Sequence, residues 1–220
     1  GGRNRVGGCS GKGGGVPVAP ERATEAFATT ARAGHLWGRV NLARLLMRKG
    51  EAADRPRCFA LFKRVAEQGT CKAGLKAMNS LARFLEEGWA GAPDMHGAAF
   101  WYLKAAHLGD HWAQYNLATI LFPQGRRSEA AAWLTSAIAI SDNGFRRRIA
   151  AQLLARPEPE LRKHGLNALA RCAADQSPDD LYAYGLALDQ GAAGPPDPVE
   201  AARLFRLASA KGHALAAARL

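Results

Sequence analysis

The chain has 220 residues, 48% of them hydrophobic, with 30 Lys and Arg against 19 Asp and Glu and a formal net charge of +11. That apolar content supports a continuous core and excludes the weakly hydrophobic composition of a disordered protein. The sequence holds no apolar run of roughly 18 residues, which excludes a spanning helix, and the basic, glycine-rich stretch Gly1 to Gly15 lacks the apolar segment of a signal peptide.

Residues 1–15 include eight glycines. Each costs up to about 1 kcal/mol relative to Ala in a helix, so a helix in this stretch is expected to be frayed or absent. Gly7 to Gly13 reads Gly-Gly-Cys-Ser-Gly-Lys-Gly, yet a phosphate-binding loop needs a wider glycine spacing, a Ser or Thr after the Lys and a preceding apolar strand, and all three are missing. Gly13 to Pro17 reads as a glycine-rich loop, and Pro20-Glu21-Arg22-Ala23 opens a helix near 21–33 that Gly34 closes. Further helices are predicted near 36–48, 56–68, 75–87, 95–108, 112–122, 128–141, 145–155, 160–175, 180–190 and 198–211.

These segments keep a common register. The residues that close every second helix, Gly34, Gly69, Gly109, Ser141, Gln176 and Gly212, are separated by 35, 40, 32, 35 and 36 positions. The small residues within the first helices, Gly7, Ala43, Ala82, Ala118, Ala150 and Gly185, are separated by 36, 39, 36, 32 and 35. Two markers in step along the whole chain mean stacked helical hairpins, each too small to bury its own apolar face. A small residue lets the partner helix approach closely, and a large pair halfway along the second helix fills the space beside it. Those pairs are Ala26-Phe27, Leu61-Phe62, Trp101-Tyr102, Trp133-Leu134, Ala168-Leu169 and Leu204-Phe205, with Trp101 and Tyr102 expected in the core of the most regular unit. Gly34, Gly69, Gly109 and Gly212 are expected in the left-handed conformation that ends a helix, and Asp54, Asp94 and Asp197 near the starts of the following ones.

Three units depart from the pattern. Four residues are inserted between Gly69 and Ala82, about one helical turn, and Gly125 to Ser128 has lost most of the glycine-rich loop. The unit ending at Gln176 carries Arg156-Pro157-Glu158-Pro159 in place of that loop and lacks the aromatic pair.

Residues 112–122, Trp-Ala-Gln-Tyr-Asn-Leu-Ala-Thr-Ile-Leu-Phe, and residues 94–109, Asp-Met-His-Gly-Ala-Ala-Phe-Trp-Tyr-Leu-Lys-Ala-Ala-His-Leu-Gly, closely resemble the Sel-one-like repeat (SLR) family, relatives of the tetratricopeptide repeat. The likeness covers nearly the whole chain. It implies an all-α, right-handed α/α superhelix of five to six units: a partial repeat at 1–34, repeats at 35–69, 70–109, 110–141, 142–176 and 177–212, and the start of another at 213–220, all in one solenoid over 1–220. Both ends of the chain then fall inside a repeat. The resemblance also implies an adaptor or scaffold that acts through protein contacts.

Chemistry is sparse. His107 and His111 have a zinc-like spacing, but Gly109 breaks the helix between them; His35 and His213 follow closing glycines, where a helix-opening role is expected. Cys9, Cys58, Cys71 and Cys172 fall at four different repeat positions, unlike the stapled pairs of the cysteine-rich relatives, and Cys58 and Cys172 read as small buried thiols. No catalytic residue, cofactor or metal ligand is assigned, and the expectation is a non-enzyme. A ligand-binding variant, in the manner of cysteine-rich relatives that take β-lactams, would need a deep polar pocket.

What remains is a surface. Residues 1–75 carry 14 Lys and Arg against 5 Asp and Glu. Such a basic region attracts an acidic protein, nucleic acid or anionic lipid, or simply keeps an alanine-rich solenoid soluble; no nucleic-acid module is present. If first helices line the concave side, as in the tetratricopeptide relatives, the groove takes Val40, Arg44 and Arg48, then Asn79, Arg83 and Glu87, then Tyr115, Thr119 and Pro123. Trp37 and Trp112 sit one turn earlier and are open to two readings, partner anchor or packing on the preceding hairpin. Trp37, Arg44, Arg48, Arg83, Trp112 and Tyr115 are therefore the candidate site for a protein or peptide partner of acidic character.

Overall fold

The computed structural model describes residues 20–220, with side chains from Thr24 onward. The expectations for the glycine-rich start and for Cys9 lie outside the described residues. Eleven α-helices follow in order, with no strand among the described residues: α1 (Pro20–Arg32), α2 (Leu36–Lys49), α3 (Arg55–Gln68), α4 (Lys72–Glu86), α5 (Met95–His107), α6 (His111–Leu121), α7 (Arg127–Ile140), α8 (Asn143–Leu154), α9 (Pro159–Ala173), α10 (Pro178–Asp189) and α11 (Pro198–Ala210). Each matches a helix expected from the register.

Helix ends follow from local chemistry. Gly34, Gly109 and Gly212 take φ of +89°, +86° and +90°, the left-handed conformation that lets the chain turn out of a helix. Gly69 does not. Its φ of −165° and ψ of 151° are extended, because the inserted residues lengthen α4 backwards to Lys72 and the chain must cross to that new start. Asp94, Asp110, Asp142 and Asp197 accept the backbone N–H of Gly97, Ala113, Phe145 and Glu200 at 2.8, 2.7, 2.8 and 3.0 Å, each satisfying one of the orphan donors of a helix start. Asp54 and His35 hold the cap positions of α3 and α2 without such a bond. His213 opens no helix; its ring stacks on Tyr182 at 4.2 Å.

The chain divides into two compact units, the first ending at Ile120 and the second starting at Leu121. In the first, α2 packs between α1 and α3, and α4 between α3 and α5. The small residues Ala43, Ala82 and Ala118 are at most 1% exposed, as close helix approach requires. Of the large pairs on α3 and α5, the second member is the core residue: Phe62 and Tyr102 are 2% and 0% exposed, and burying such a side chain contributes about 1.5–3 kcal/mol. Trp101 is half-buried, which corrects the expectation that it fills the core. It lies edge-on to Phe100 at 5.3 Å, with the Lys104 ammonium 5.1 Å over its ring: adjacent helix positions point about 100° apart, and on α5 it is Tyr102 that faces inward.

In the second unit α9 packs on α7, α8 and α10, and α10 on α11. Pro159 stands in the first turn of α9, where its missing N–H costs nothing, so the Arg156–Pro159 segment starts a regular helix despite lacking glycine. Gly185 meets the second-helix aromatic directly: a Cβ there would sit 2.9 Å from Phe205 Cε1.

Arg147 on α8 binds Asp180 on α10 through two bonds of 2.7 Å. The Asp180 side chain is 3% exposed and that of Arg147 53%. Removing Arg147 strands a buried carboxylate, a change that costs about 3–5 kcal/mol in a fully buried pair and less where one partner is solvated. Arg147→Ala is expected to lower the unfolding free energy by about 2 kcal/mol in urea melts; an unchanged melt would mean that water replaces the guanidinium at no cost.

Candidate partner-binding face

The first helices of the first unit, α2, α4 and α6, each bury their small residue and turn the following position outward. Arg44, Arg83 and Thr119, each one residue past Ala43, Ala82 and Ala118, are exposed, as are Arg48 and Glu87 a turn later. The position three residues before the small residue behaves differently. Val40 is 0% exposed and packs in the core, which corrects its assignment to the groove, while Asn79 and Tyr115 are half-buried. Trp37 and Trp112 are also half-buried, and the Trp112 ring lies 6.3 Å from that of His111.

Arg83 is held from two sides. Its Nε lies 4.0 Å from Glu87 Oε1, one turn on, and its guanidinium sits 5.3 Å over the Trp89 ring, which itself meets Phe84 edge-on at 5.3 Å. Trp89 thereby orients an exposed cation by a contact worth about 0.5–1 kcal/mol. Among the described residues no carboxylate lies within ion-pair distance of Arg44 or Arg48.

Two features of this face escape the repeat register. Lys76, on the same stripe of α4 as Asn79 and Arg83, is half-buried; burial first, and then the positive charge of Arg44, lower its pKa, with Asp110 opposing. Asn79 Oδ1 accepts from Asn116 Nδ2 at 3.0 Å, tying the faces of α4 and α6 together. Their separation of 37 positions is one repeat, the only hint that the sequence offers.

Among the described residues no cluster of His, Cys, Asp and Glu could hold a metal, and no helix is long and apolar enough to cross a membrane. His107 ends α5 and His111 begins α6, so the two never share a helical face. Cys58 and Cys172 are buried and free; burial pushes the Cys58 thiol up to about 11 and raises that of Cys172, which keeps both protonated and unreactive. A cavity of about 230 Å³ between α7 and α9 is lined by Phe122, Leu134, Leu161 and His164, with Arg127 at its edge already bound to Glu160 at 3.4 Å and lying over Phe122. Burial lowers the pKa of His164.

The family model described as the Sel1 repeat matches residues 39–70, 75–110 and 178–213. The stretch between the last two matches includes the unit that lacks the aromatic pair. Among curated proteins none matches this chain by sequence. A solved structure of a protective antigen present in uropathogenic Escherichia coli strains, displaying an SLR fold, is 28% identical with a TM-score of 0.58; the likeness covers 88% of this chain and 42% of that one, so this chain spans less than half the antigen's length. A Sel1 repeat protein from Oxalobacter formigenes is 17% identical with a TM-score of 0.57, over 89% of this chain and 82% of that one, a likeness of fold.

Proposed function

This chain is a Sel1-repeat protein, and from that premise we propose that it is a non-catalytic scaffold that captures an acidic segment of another protein on the α2–α4–α6 face. Sel1-repeat proteins are commonly protein-interaction scaffolds; the finer reading rests on the face itself. The observation that carries it is the pair Arg44 and Arg83, exposed at one repeat position on neighbouring first helices, the one within and the other just beyond the basic stretch 1–75. Guanidinium groups fork onto carboxylates, and half-exposed Trp37, Trp112 and Tyr115 beside them offer apolar area.

The test is affinity capture with the wild-type chain and the double variant Arg44→Glu, Arg83→Glu. The double variant is expected to lose the captured protein while its helicity and melting temperature stay within error of wild type. Added salt is expected to weaken wild-type capture, since exposed contacts are screened over about 8 Å at physiological ionic strength. Equal capture by the double variant would move the site off this face. Loss of capture after nuclease treatment would assign the face to nucleic acid instead.

A further inference from the structure

The cavity of about 230 Å³ between α7 and α9 has apolar walls, Phe122, Ala131, Leu134 and Leu161, and two hydrogen-bonding side chains, Ser128 and His164. Neither of the two bonds to another described residue, and His164 is half-buried. Size limits what fits. An apolar cavity of about 150 Å³ already holds benzene, whereas drug-sized ligands need about 300 Å³ or more, so the space admits one aromatic ring with a small substituent. Charge limits it further. Arg127 and Glu160 pair at 3.4 Å at the rim, with side chains 64% and 52% exposed, and so bring no net charge inside. Exposed pairs of this kind hold weakly and part readily to admit a ligand. Burial keeps the His164 ring neutral at about pH 7, and a neutral imidazole offers one acceptor and one donor nitrogen. A carboxylate or an ammonium group would lose its water here without gaining a free counter-charge. A hydroxyl on the ring would find the imidazole as acceptor and the Ser128 hydroxyl as donor.

We propose that this cavity is a binding site for a neutral, single-ring phenol, its ring held against Phe122, Leu134 and Leu161 and its hydroxyl donating to His164. The apolar walls supply affinity for any small ring, and the imidazole selects the ring that carries a hydroxyl. The inference is independent of the scaffold reading: the cavity lies wholly within the second unit and shares no residue with the α2–α4–α6 face.

The probes are 4-fluorophenol and fluorobenzene, titrated against the whole chain and followed by fluorine NMR. The expected result is saturable binding of 4-fluorophenol with a dissociation constant on the order of 1 mM, as suits so few atoms, and fluorobenzene about fivefold weaker for want of one neutral hydrogen bond. His164→Leu should leave fluorobenzene nearly unchanged and bring 4-fluorophenol down to it, a loss of preference that a merely structural role for His164 would not produce. Ala131→Phe, which fills the space, should abolish binding of both probes, with a circular dichroism melt to show that the variant is folded; if it is not, His164→Leu decides alone. Benzoate should not displace 4-fluorophenol. No saturable binding, equal affinity for the two probes, an unchanged preference in His164→Leu, binding that persists in folded Ala131→Phe, or displacement by benzoate each overturns the proposal.

Discussion

Tyr102→Ala is expected to lower the unfolding free energy by about 3–5 kcal/mol, the range for deleting a large aromatic from a core, whereas Trp101→Ala should cost about 1 kcal/mol. Tyr102 is 0% exposed and fills the space between α4 and α5, and its hydroxyl donates to Glu86 Oε2 at 2.8 Å. Burial, and after it the Glu86 charge, push its pKa far above the usual phenol range, so the hydroxyl keeps its proton and donates it to Glu86. Trp101 loses only an edge contact with exposed Phe100 and the overlying Lys104. Tyr102→Phe separates the two contributions: it keeps the ring volume, removes one hydrogen bond and should cost about 1 kcal/mol. Because hairpins in a repeat array lean on their nearest neighbours, hydrogen exchange in Tyr102→Ala should rise first in α4 and α5. Equal losses for Trp101→Ala and Tyr102→Ala in urea melts would show that the two rings share the core.

Which of two adjacent large residues faces inward was legible only by aligning the units. Phe62, Tyr102, Leu134, Leu169 and Phe205, the second members of five of the six pairs, are at most 9% exposed and Phe27 is half-buried; of the first members, Leu61, Trp101 and Trp133 are half-buried while Ala168 and Leu204 are buried. Reading one unit alone favours Trp101 for its size. Helices and their closing glycines were visible because they recur, and Gly69 defeated the rule because an insertion follows it and changes what the backbone must reach. The face is harder. Arg44 and Arg83 recur at one repeat position and so stand out, but Trp89 and Asn116 each act through a contact that only the folded chain creates. Arg147 and Asp180 are of the same kind: 33 positions apart, they look like two of many charged residues until α8 and α10 are laid side by side.

Gly74→Ala should destabilise the first unit by about 3 kcal/mol, although Ala is favoured over Gly within a helix by about 1 kcal/mol. The sign is decided by what lies where the methyl would go. Gly74 stands in the first turn of α4, and a Cβ built there collides with the backbone carbonyl of Gly69, which extended Gly69 aims back at the helix. A flexible side chain could yield; a carbonyl held between α3 and α4 cannot without moving the linker. Displacing it parts the two helices at Ala73 and Ala77, both 0% exposed, so the added methylene costs packing around it. Gly91→Ala is the control in the same unit, since a Cβ there meets nothing within 4 Å, and it should stay within about 0.5 kcal/mol of wild type. Urea melts in which Gly74→Ala is as stable as wild type would mean that the 69–71 linker adapts freely and that the Gly69 carbonyl is not held between α3 and α4.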